Sequence, residues 1–143
     1  MARNRFMTQR TNANRWQDWT NLILAIWLFI SPWVLQFASG ATTVGTPAEA
    51  AAAGSVVVAA AWNAWIFGVV VAAIAAAGLL GAHAWEEWTN LLIGLWLVIS
   101  PWVLGFSGNA VATWNTLVVG LLIFALAAWE LYDIRKTASA TSR

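Results

Sequence analysis

The chain has 143 residues, of which 61% are hydrophobic and only 9% are charged, and its formal net charge is +1. A chain with this few charged residues cannot supply the polar surface of a water-soluble domain. We therefore exclude that class and expect a membrane protein. The sequence has no cysteine, which excludes disulfides, thiolate metal sites and cysteine nucleophiles.

The two ends of the chain hold all seven basic residues: four lie in residues 1–15 and three follow the last apolar run. Basic residues concentrate on the cytoplasmic side of membrane proteins. We therefore predict that residues 1–15 and 133–143 are cytoplasmic tails of a protein in the cytoplasmic membrane. We expect the first tail to be disordered and to attract anionic lipid headgroups.

Residues 16–37 form the first apolar run, long enough for a helix that crosses a hydrocarbon core about 30 Å thick. A basic start followed by an apolar run also fits a cleaved signal peptide, but residues 85–106 repeat the segment deep inside the chain. Helical spacing places Asn21 and Ala25 on one stripe with Pro32. We predict that Ala25 allows close approach of a second helix and that Asn21 hydrogen-bonds across it.

A proline interrupts this run near its outer end, in the tripeptide Ser31-Pro32-Trp33. Pro32 has no N–H, so the carbonyl of Leu28 loses its helical partner. We predict that the Ser31 hydroxyl bonds back to the carbonyl four residues earlier, that of Trp27. The pair either kinks the helix or ends it at the outer surface, and a kink keeps the apolar residues that follow in helical backbone.

Residues 38–61 form an outer segment with a helix-start signal. Thr46 has the position of an N-cap, Pro47 that of the first helical residue, and Glu49 follows the threonine by three residues. We predict a helix over residues 48–61, either as a separate short element or as an outward extension of the next crossing.

The second crossing, residues 62–80, is rich in small residues. These recur every four positions, at Ala64, Gly68, Ala72 and Ala76. The pattern drives helix packing where lipid removes the hydrophobic incentive, so we predict that Gly68 and Ala72 lie at a helix interface. We expect a tight inner turn with an exposed His83 to follow.

The third run, residues 85–106, repeats the first with 14 identities in 22 positions and no gap. The fourth run, residues 114–132, matches the second more weakly, through "WNTLVVG" against "WNAWIFG". We infer an internal duplication with units at 16–80 and 81–132. Each unit crosses twice, so we predict an all-α protein with four transmembrane helices, as two tandem parallel repeats related by a pseudo-two-fold axis along the membrane normal.

The second copy carries the same features at matched positions: the stripe residues Asn90 and Gly94, and the tripeptide Ser100, Pro101 and Trp102. The same reasoning predicts that Ser100 bonds back to the carbonyl of Trp96.

The twice-used Ser-Pro-Trp, with "WxxWTN" upstream at a fixed spacing, resembles the SPW-repeat family of small integral membrane proteins. The resemblance covers about residues 16–132. It implies a two-helix repeat and a bacterial cytoplasmic membrane. It implies no activity, so no functional site is carried over from it.

Tryptophans are unusually frequent, with 12 in the chain. Nine fit two membrane boundaries, an inner one at Trp16, Trp19, Trp85, Trp88 and Trp129 and an outer one at Trp33, Trp62, Trp102 and Trp114. Trp27 and Trp96 lie near mid-membrane instead, where an indole N–H needs an acceptor. They line either a packed helix interface, which is the simpler interpretation, or a pocket.

The apolar centres of the four crossings contain no ionisable, amide or hydroxyl side chain, at residues 22–30, 64–82, 91–99 and 117–128. Transporters and proton relays need such groups near the midplane, and haem held by two histidines is excluded because the chain has one. We therefore expect no enzyme activity, no catalytic residue, no metal and no cofactor.

These observations predict a non-catalytic membrane module. Its expected partners are the lipid bilayer and either further copies of itself or another membrane protein, without nucleic acid. The alternative is a binding protein for an apolar small molecule such as a quinone or a lipid, held in an inter-helix pocket lined by Trp27, Trp96, Asn21 and Asn90.

Overall fold

The computed structural model describes residues 2–39, 46–80 and 86–141. These ranges form four helices, which are α1 (Ala2–Val34), α2 (Pro47–Leu79), α3 (Glu86–Val103) and α4 (Ala110–Thr141). A short 3₁₀ turn, Phe37–Ser39, follows α1. No strand occurs in the described ranges, in agreement with the predicted all-α fold.

The helices pack as two antiparallel hairpins, α1 with α2 and α3 with α4, called here the first and second hairpin. In the first hairpin Phe29 lies against Gly68, and in the second Gly94 lies against Gly120. The hairpins meet each other through α1 with α4 and α2 with α3, over smaller interfaces. The described chain is thus a four-helix bundle in which each helix contacts its hairpin partner most extensively.

The start of α2 follows the predicted pattern. Thr46 is the N-cap, its Oγ1 accepts the N–H of Glu49 at 3.4 Å, and the Glu49 carboxylate accepts the N–H of Thr46 at 2.6 Å. This confirms the capping box and Pro47 at the first turn. The Thr46 backbone and hydroxyl, which donate to this carboxylate, lower the pKa of Glu49 below its ordinary value.

The helix over residues 48–61 is an outward extension of the second crossing and not a separate element, because α2 is continuous. Its 33 residues span about 50 Å at 1.5 Å per residue. Most side chains from Pro47 to Ser55 are exposed on all sides. The first three turns of α2 therefore extend outward past the neighbouring helices.

The tails carry helical backbone, since α1 begins at Ala2 and α4 reaches Thr141. The expectation that residues 1–15 are disordered is therefore wrong for the described backbone. Residues 2–15 contain no glycine or proline, so nothing in them breaks the helix that the first run begins. The predicted inner turn with His83, and Trp85 beside it, lie outside the described residues.

The bundle interior is built from small and aliphatic side chains, among them Ala25, Leu28, Ala64, Val71, Leu97 and Ile123. The boundary tryptophans point the other way. Each of those that the structure describes is more than half exposed, namely Trp16, Trp19, Trp33, Trp62, Trp88, Trp102, Trp114 and Trp129. The outward surface of the bundle therefore carries exposed tryptophans at both ends.

Two of the helices are long and apolar enough to cross a membrane, α2 over Pro47–Leu79 and α4 over Ala110–Asp133. Only 39% of the apolar window of each is buried, so most of these apolar side chains are not enclosed by the bundle. The apolar stretches of α1 and α3 each include an asparagine, a serine and a proline, which lower their mean hydropathy.

Candidate functional site

The two Ser-Pro-Trp tripeptides lie in the last turns of α1 and α3, whose helices end at Val34 and Val103. Both prolines are fully buried. The helical hydrogen bonds resume just after them, because the N–H of Leu35 donates to the Ser31 carbonyl and that of Leu104 to the Ser100 carbonyl, each at 2.8 Å. Each helix thus continues past its proline for two residues and then ends.

The serine hydroxyls of these tripeptides bond to the carbonyls that the prolines leave free. Ser31 Oγ donates to the Leu28 carbonyl at 2.8 Å, and Ser100 Oγ to the Leu97 carbonyl at 3.0 Å. The predicted bonds to the carbonyls of Trp27 and Trp96 are therefore wrong. In a helix those carbonyls already accept the N–H of the serine itself, whereas the next carbonyl lacks its donor because proline has none.

An asparagine on α4 extends the first of these contacts into a network. Trp27 Nε1 donates to Asn115 Oδ1 at 2.9 Å, and Asn115 Nδ2 donates to Ser31 Oγ at 2.8 Å. Hydrogen bonds thus run from indole to amide to hydroxyl to the Leu28 carbonyl. We call Trp27, Asn115 and Ser31 the first network.

The second network has the same order of groups. Trp96 Nε1 donates to Asn63 Oδ1 at 3.2 Å, and Asn63 Nδ2 donates to Ser100 Oγ at 3.1 Å. Asn63 belongs to the first hairpin and its partners to the second, whereas in the first network Asn115 belongs to the second hairpin. The two networks are reciprocal, and each joins the second helix of one hairpin to the first helix of the other.

The two networks differ in burial. In the second, Asn63 is 4% exposed, Ser100 is fully buried, and Trp96 packs beside Phe67 with ring centroids 6.1 Å apart. In the first, Trp27 is 38% exposed. It borders an open groove of about 510 Å³ that Asn115 also lines. Hydrogen bonds of the second network are therefore better shielded from solvent.

The chemistry of both networks is that of neutral donors and acceptors. Each indole N–H has an acceptor, each amide both donates and accepts, and each hydroxyl both donates and accepts. None of these groups titrates near neutral pH. The arrangement can therefore fix the position of one hairpin against the other.

The predicted packing residues lie where the helices of each hairpin meet. A Cβ on Gly68 would come within 2.9 Å of the Phe29 backbone nitrogen, and one on Gly94 within 2.6 Å of the Phe124 nitrogen. Ala25 is fully buried, and Ala72 packs against the core. The small residues thus allow close backbone approach within hairpins.

The described hydrogen bonds between the hairpins are made by asparagines other than the two predicted ones. Asn21 and Asn90 are buried, but in the described part of the chain their carboxamide oxygens have no hydrogen-bond partner. The interhelical bonds are made by Asn63 and Asn115 instead. Both follow a tryptophan in the matched "WN" pairs, and the need of Trp27 and Trp96 for an acceptor was the signal that could have identified them.

The two mid-membrane tryptophans, which were predicted to line one helix interface or one pocket, lie at two different helix contacts. Trp27 lies between α1 and α4 and Trp96 between α2 and α3, and each is held by its own asparagine. The two indoles therefore serve two separate hairpin contacts.

Comparison with known families assigns most of the chain. A family model, the SPW repeat domain, matches residues 15–130, which include both tripeptides and both network asparagines. No curated protein and no solved structure matches the chain. Because the family model covers well over half of its length, the chain belongs to the SPW repeat domain family.

Proposed function

We propose that this protein is a non-catalytic integral membrane module that crosses the bilayer four times and acts by assembling with itself or with another membrane protein. The observation that carries the membrane location is the outward-facing apolar surface of α2 and α4. Only 39% of each apolar window is buried, whereas the core helix of a soluble protein would be mostly buried.

Four crossings follow if α2 and α4 lie in the membrane. α1 and α3 pack antiparallel along them, and their own outward residues are apolar, including Ile23, Ile26, Leu92 and Leu95. The 18 residues of α3 measure about 27 Å, close to the thickness of the hydrocarbon core. The exposed tryptophans then fall at the two headgroup levels.

The orientation rests on charge and on the reciprocal networks. All basic residues lie in the two tails, which favours cytoplasmic N- and C-termini in a bacterial cytoplasmic membrane. Two hairpins that exchange equivalent bonds support a pseudo-two-fold axis along the membrane normal. Duplication of one hairpin accounts for both features.

An assembly role is supported by the outer extension of α2. Residues Pro47–Ser55 form a capped helix whose exposed side chains are mostly alanine and which has no charge after Glu49. In the described structure nothing from this chain covers it. A helix with so little polar surface is stabilised by contact with a protein or with the outer membrane interface.

Cross-linking in the native membrane tests the assembly role, and the chain suits it because it has no cysteine. Ser55→Cys, on the outer extension, should give a disulfide-linked dimer or a single defined adduct. Gly108→Cys is the matched control, since it lies in the α3–α4 turn with no neighbour within 4 Å of its Cβ position. Equal cross-linking of both variants would indicate random collision.

Mass measurement in mild detergent gives an independent readout. We expect a particle larger than the 15.5 kDa chain plus its detergent, or a stoichiometric partner. A strictly monomeric particle, together with no adduct at position 55, would contradict the proposed role.

A further inference from the structure

An aromatic groove opens on the outward side of the first hairpin, between the outer halves of α1 and α2. It measures about 550 Å³, within the range of small-molecule sites. Trp33 and Trp65 stack with centroids 5.1 Å apart and ring planes at 26°. Trp62 meets Trp65 edge-on at 5.6 Å, and Phe29 lies 5.6 Å from Trp33.

The second hairpin does not have this set of aromatic residues. Its sequence keeps the two boundary tryptophans, at Trp102 and Trp114, but has Val98 and Leu117 at the positions of Phe29 and Trp65. A membrane boundary therefore explains Trp33 and Trp62 but not the other two rings. Trp65 lies three residues further into α2 than Trp62, about 4.5 Å along the axis.

One unmet polar group belongs to a lining residue but does not open into the groove, whose surface is wholly apolar. Trp65 Nε1 is buried and has no acceptor among the described residues, although a buried indole N–H usually has one. The lining carries no charged side chain. Its chemistry thus favours a neutral molecule that offers a hydrogen-bond acceptor.

The two ends of the groove differ in composition. The outer end is aromatic, and the inner end is formed by Val69 and Val70, which lie about 10 Å deeper along α2 than Trp62. A flat ring suits the first end and an aliphatic chain suits the second. Indole faces are electron-rich, so they stack best on an electron-poor ring.

We propose that this aromatic groove binds a prenylated quinone, a neutral amphiphile with a flat, electron-poor ring, carbonyl acceptors and an aliphatic tail. The proposal rests on the membrane location given under the proposed function and not on the assembly role. A phospholipid headgroup would find no charged partner in the groove, and a saturated ring system would lack the flat, electron-poor face that stacks on indole. Because the Trp65 N–H is covered in this structure, binding requires that the half-exposed Trp62 ring move aside to let the quinone carbonyl reach it.

Titration of the full-length chain with a short prenylated benzoquinone, followed by native mass spectrometry in mild detergent, tests the proposal. The prenyl alcohol with the same tail is the control ligand. We expect one quinone per chain and at least about tenfold weaker retention of the alcohol, because the alcohol keeps a hydroxyl acceptor but lacks the flat ring that stacks on indole.

Two variants introduce the residues of the second hairpin and so preserve apolar packing, Trp65→Leu and Phe29→Val. Trp65→Leu should weaken quinone binding about tenfold, and Phe29→Val by less, since it removes one ring contact only. Trp88→Leu is the matched control, because it makes the same substitution at an exposed tryptophan near the other end of the bundle. It should bind quinone like the unaltered chain.

Three results would overturn the proposal: no quinone retained by the unaltered chain, equal retention of quinone and alcohol, or equal loss in Trp65→Leu and Trp88→Leu. None of these depends on whether the chain self-associates. Conversely, failure of the chain to partition into membranes would refute the proposed function whatever the titration gives.

Discussion

The two hairpins share their polar contacts but differ at positions in the helix crossing, on the outward surface and at the helix ends. Both have the serine-proline pair, the asparagine after a tryptophan, and a glycine where the helices cross, at Gly68 and Gly120. Four of the matched pairs at which they differ are Ala25 and Gly94, Phe29 and Val98, Gln36 and Gly105, and Trp65 and Leu117. What the hairpins share is therefore what holds them together, and each difference can be tested by exchange.

The largest expected effect comes from the helix crossing of the second hairpin. Gly94→Ala would place a Cβ 2.6 Å from the Phe124 nitrogen and 2.9 Å from the Gly120 carbonyl oxygen. Backbone atoms cannot move aside like a flexible side chain, so we expect a loss of about 1–3 kcal/mol in the free energy of unfolding. Unfolding in mixed micelles with increasing SDS, followed by circular dichroism, measures it.

The matched exchange in the first hairpin should cost less. Ala25 is fully buried, and Ala25→Gly removes one methyl group and adds backbone freedom, for about 1 kcal/mol. Equal effects of Gly94→Ala and Ala25→Gly would mean that the close approach of α3 and α4 does not limit stability.

The next effect concerns the reciprocal networks. Asn63→Leu removes both bonds of a buried amide and leaves the Trp96 N–H without an acceptor, so we expect a loss of about 1–2 kcal/mol. Asn115→Leu should cost less, because Asn115 is less buried than Asn63 and its replacement disturbs less packing. The same SDS unfolding assay applies.

Asn21→Leu is the control for both substitutions. Its amide is equally buried, but its carboxamide oxygen has no partner in the described structure, so replacement should change stability by at most about 0.5 kcal/mol or increase it. If Asn21→Leu cost as much stability as Asn63→Leu, the hydrogen bonds of the networks would not account for the loss.

A smaller effect is expected where the first helix of each hairpin ends. Gln36 has φ of 58° and Gly105, at the matched position, has φ of 75°, a region that costs side-chain-bearing residues about 1–2 kcal/mol. Gln36→Gly should therefore stabilise the chain by up to about 1 kcal/mol, and Gly105→Gln should destabilise it by a similar amount. A fall in melting temperature for Gln36→Gly would refute this explanation.

The smallest effect concerns the capping box of α2. It lies in the outer segment of the first hairpin and has no matched position in the second. The Glu49 carboxylate has a pKa below its ordinary value of 4.5, so its contribution is complete above the unfolded pKa and is lost as the pH falls through the folded one. Far-UV circular dichroism between about pH 6 and about pH 3 should show a small acid-induced loss of helix. Glu49→Gln should remove this loss, and a rise in helicity on acidification would contradict the sign.

Local signals in the sequence predicted much of the fold. The capping box at Thr46 and Glu49, the four helical runs and the packing role of Gly68 depend on neighbours in sequence or on spacing along one helix. The length of the helices was underestimated at both tails, because hydropathy marks apolar stretches and not helical backbone.

The networks were harder to predict because their partners lie far apart in the chain. Asn115 and Trp27 are separated by 88 residues and Asn63 and Trp96 by 33, so no periodicity connects them. Asn21 and Asn90 are the same residue type as Asn63 and are about equally buried. Only the tertiary arrangement decides which asparagine meets an acceptor or donor.

Accessibility of single cysteines in intact and permeabilised cells tests most directly the claim that two matched hairpins span a membrane from the same side. A membrane-impermeant maleimide should label Ser55→Cys and Gly108→Cys in intact cells, and Thr8→Cys and Ser139→Cys only after permeabilisation. Labelling of positions 8 and 139 from opposite faces, or recovery of the chain in the soluble fraction, would contradict the account.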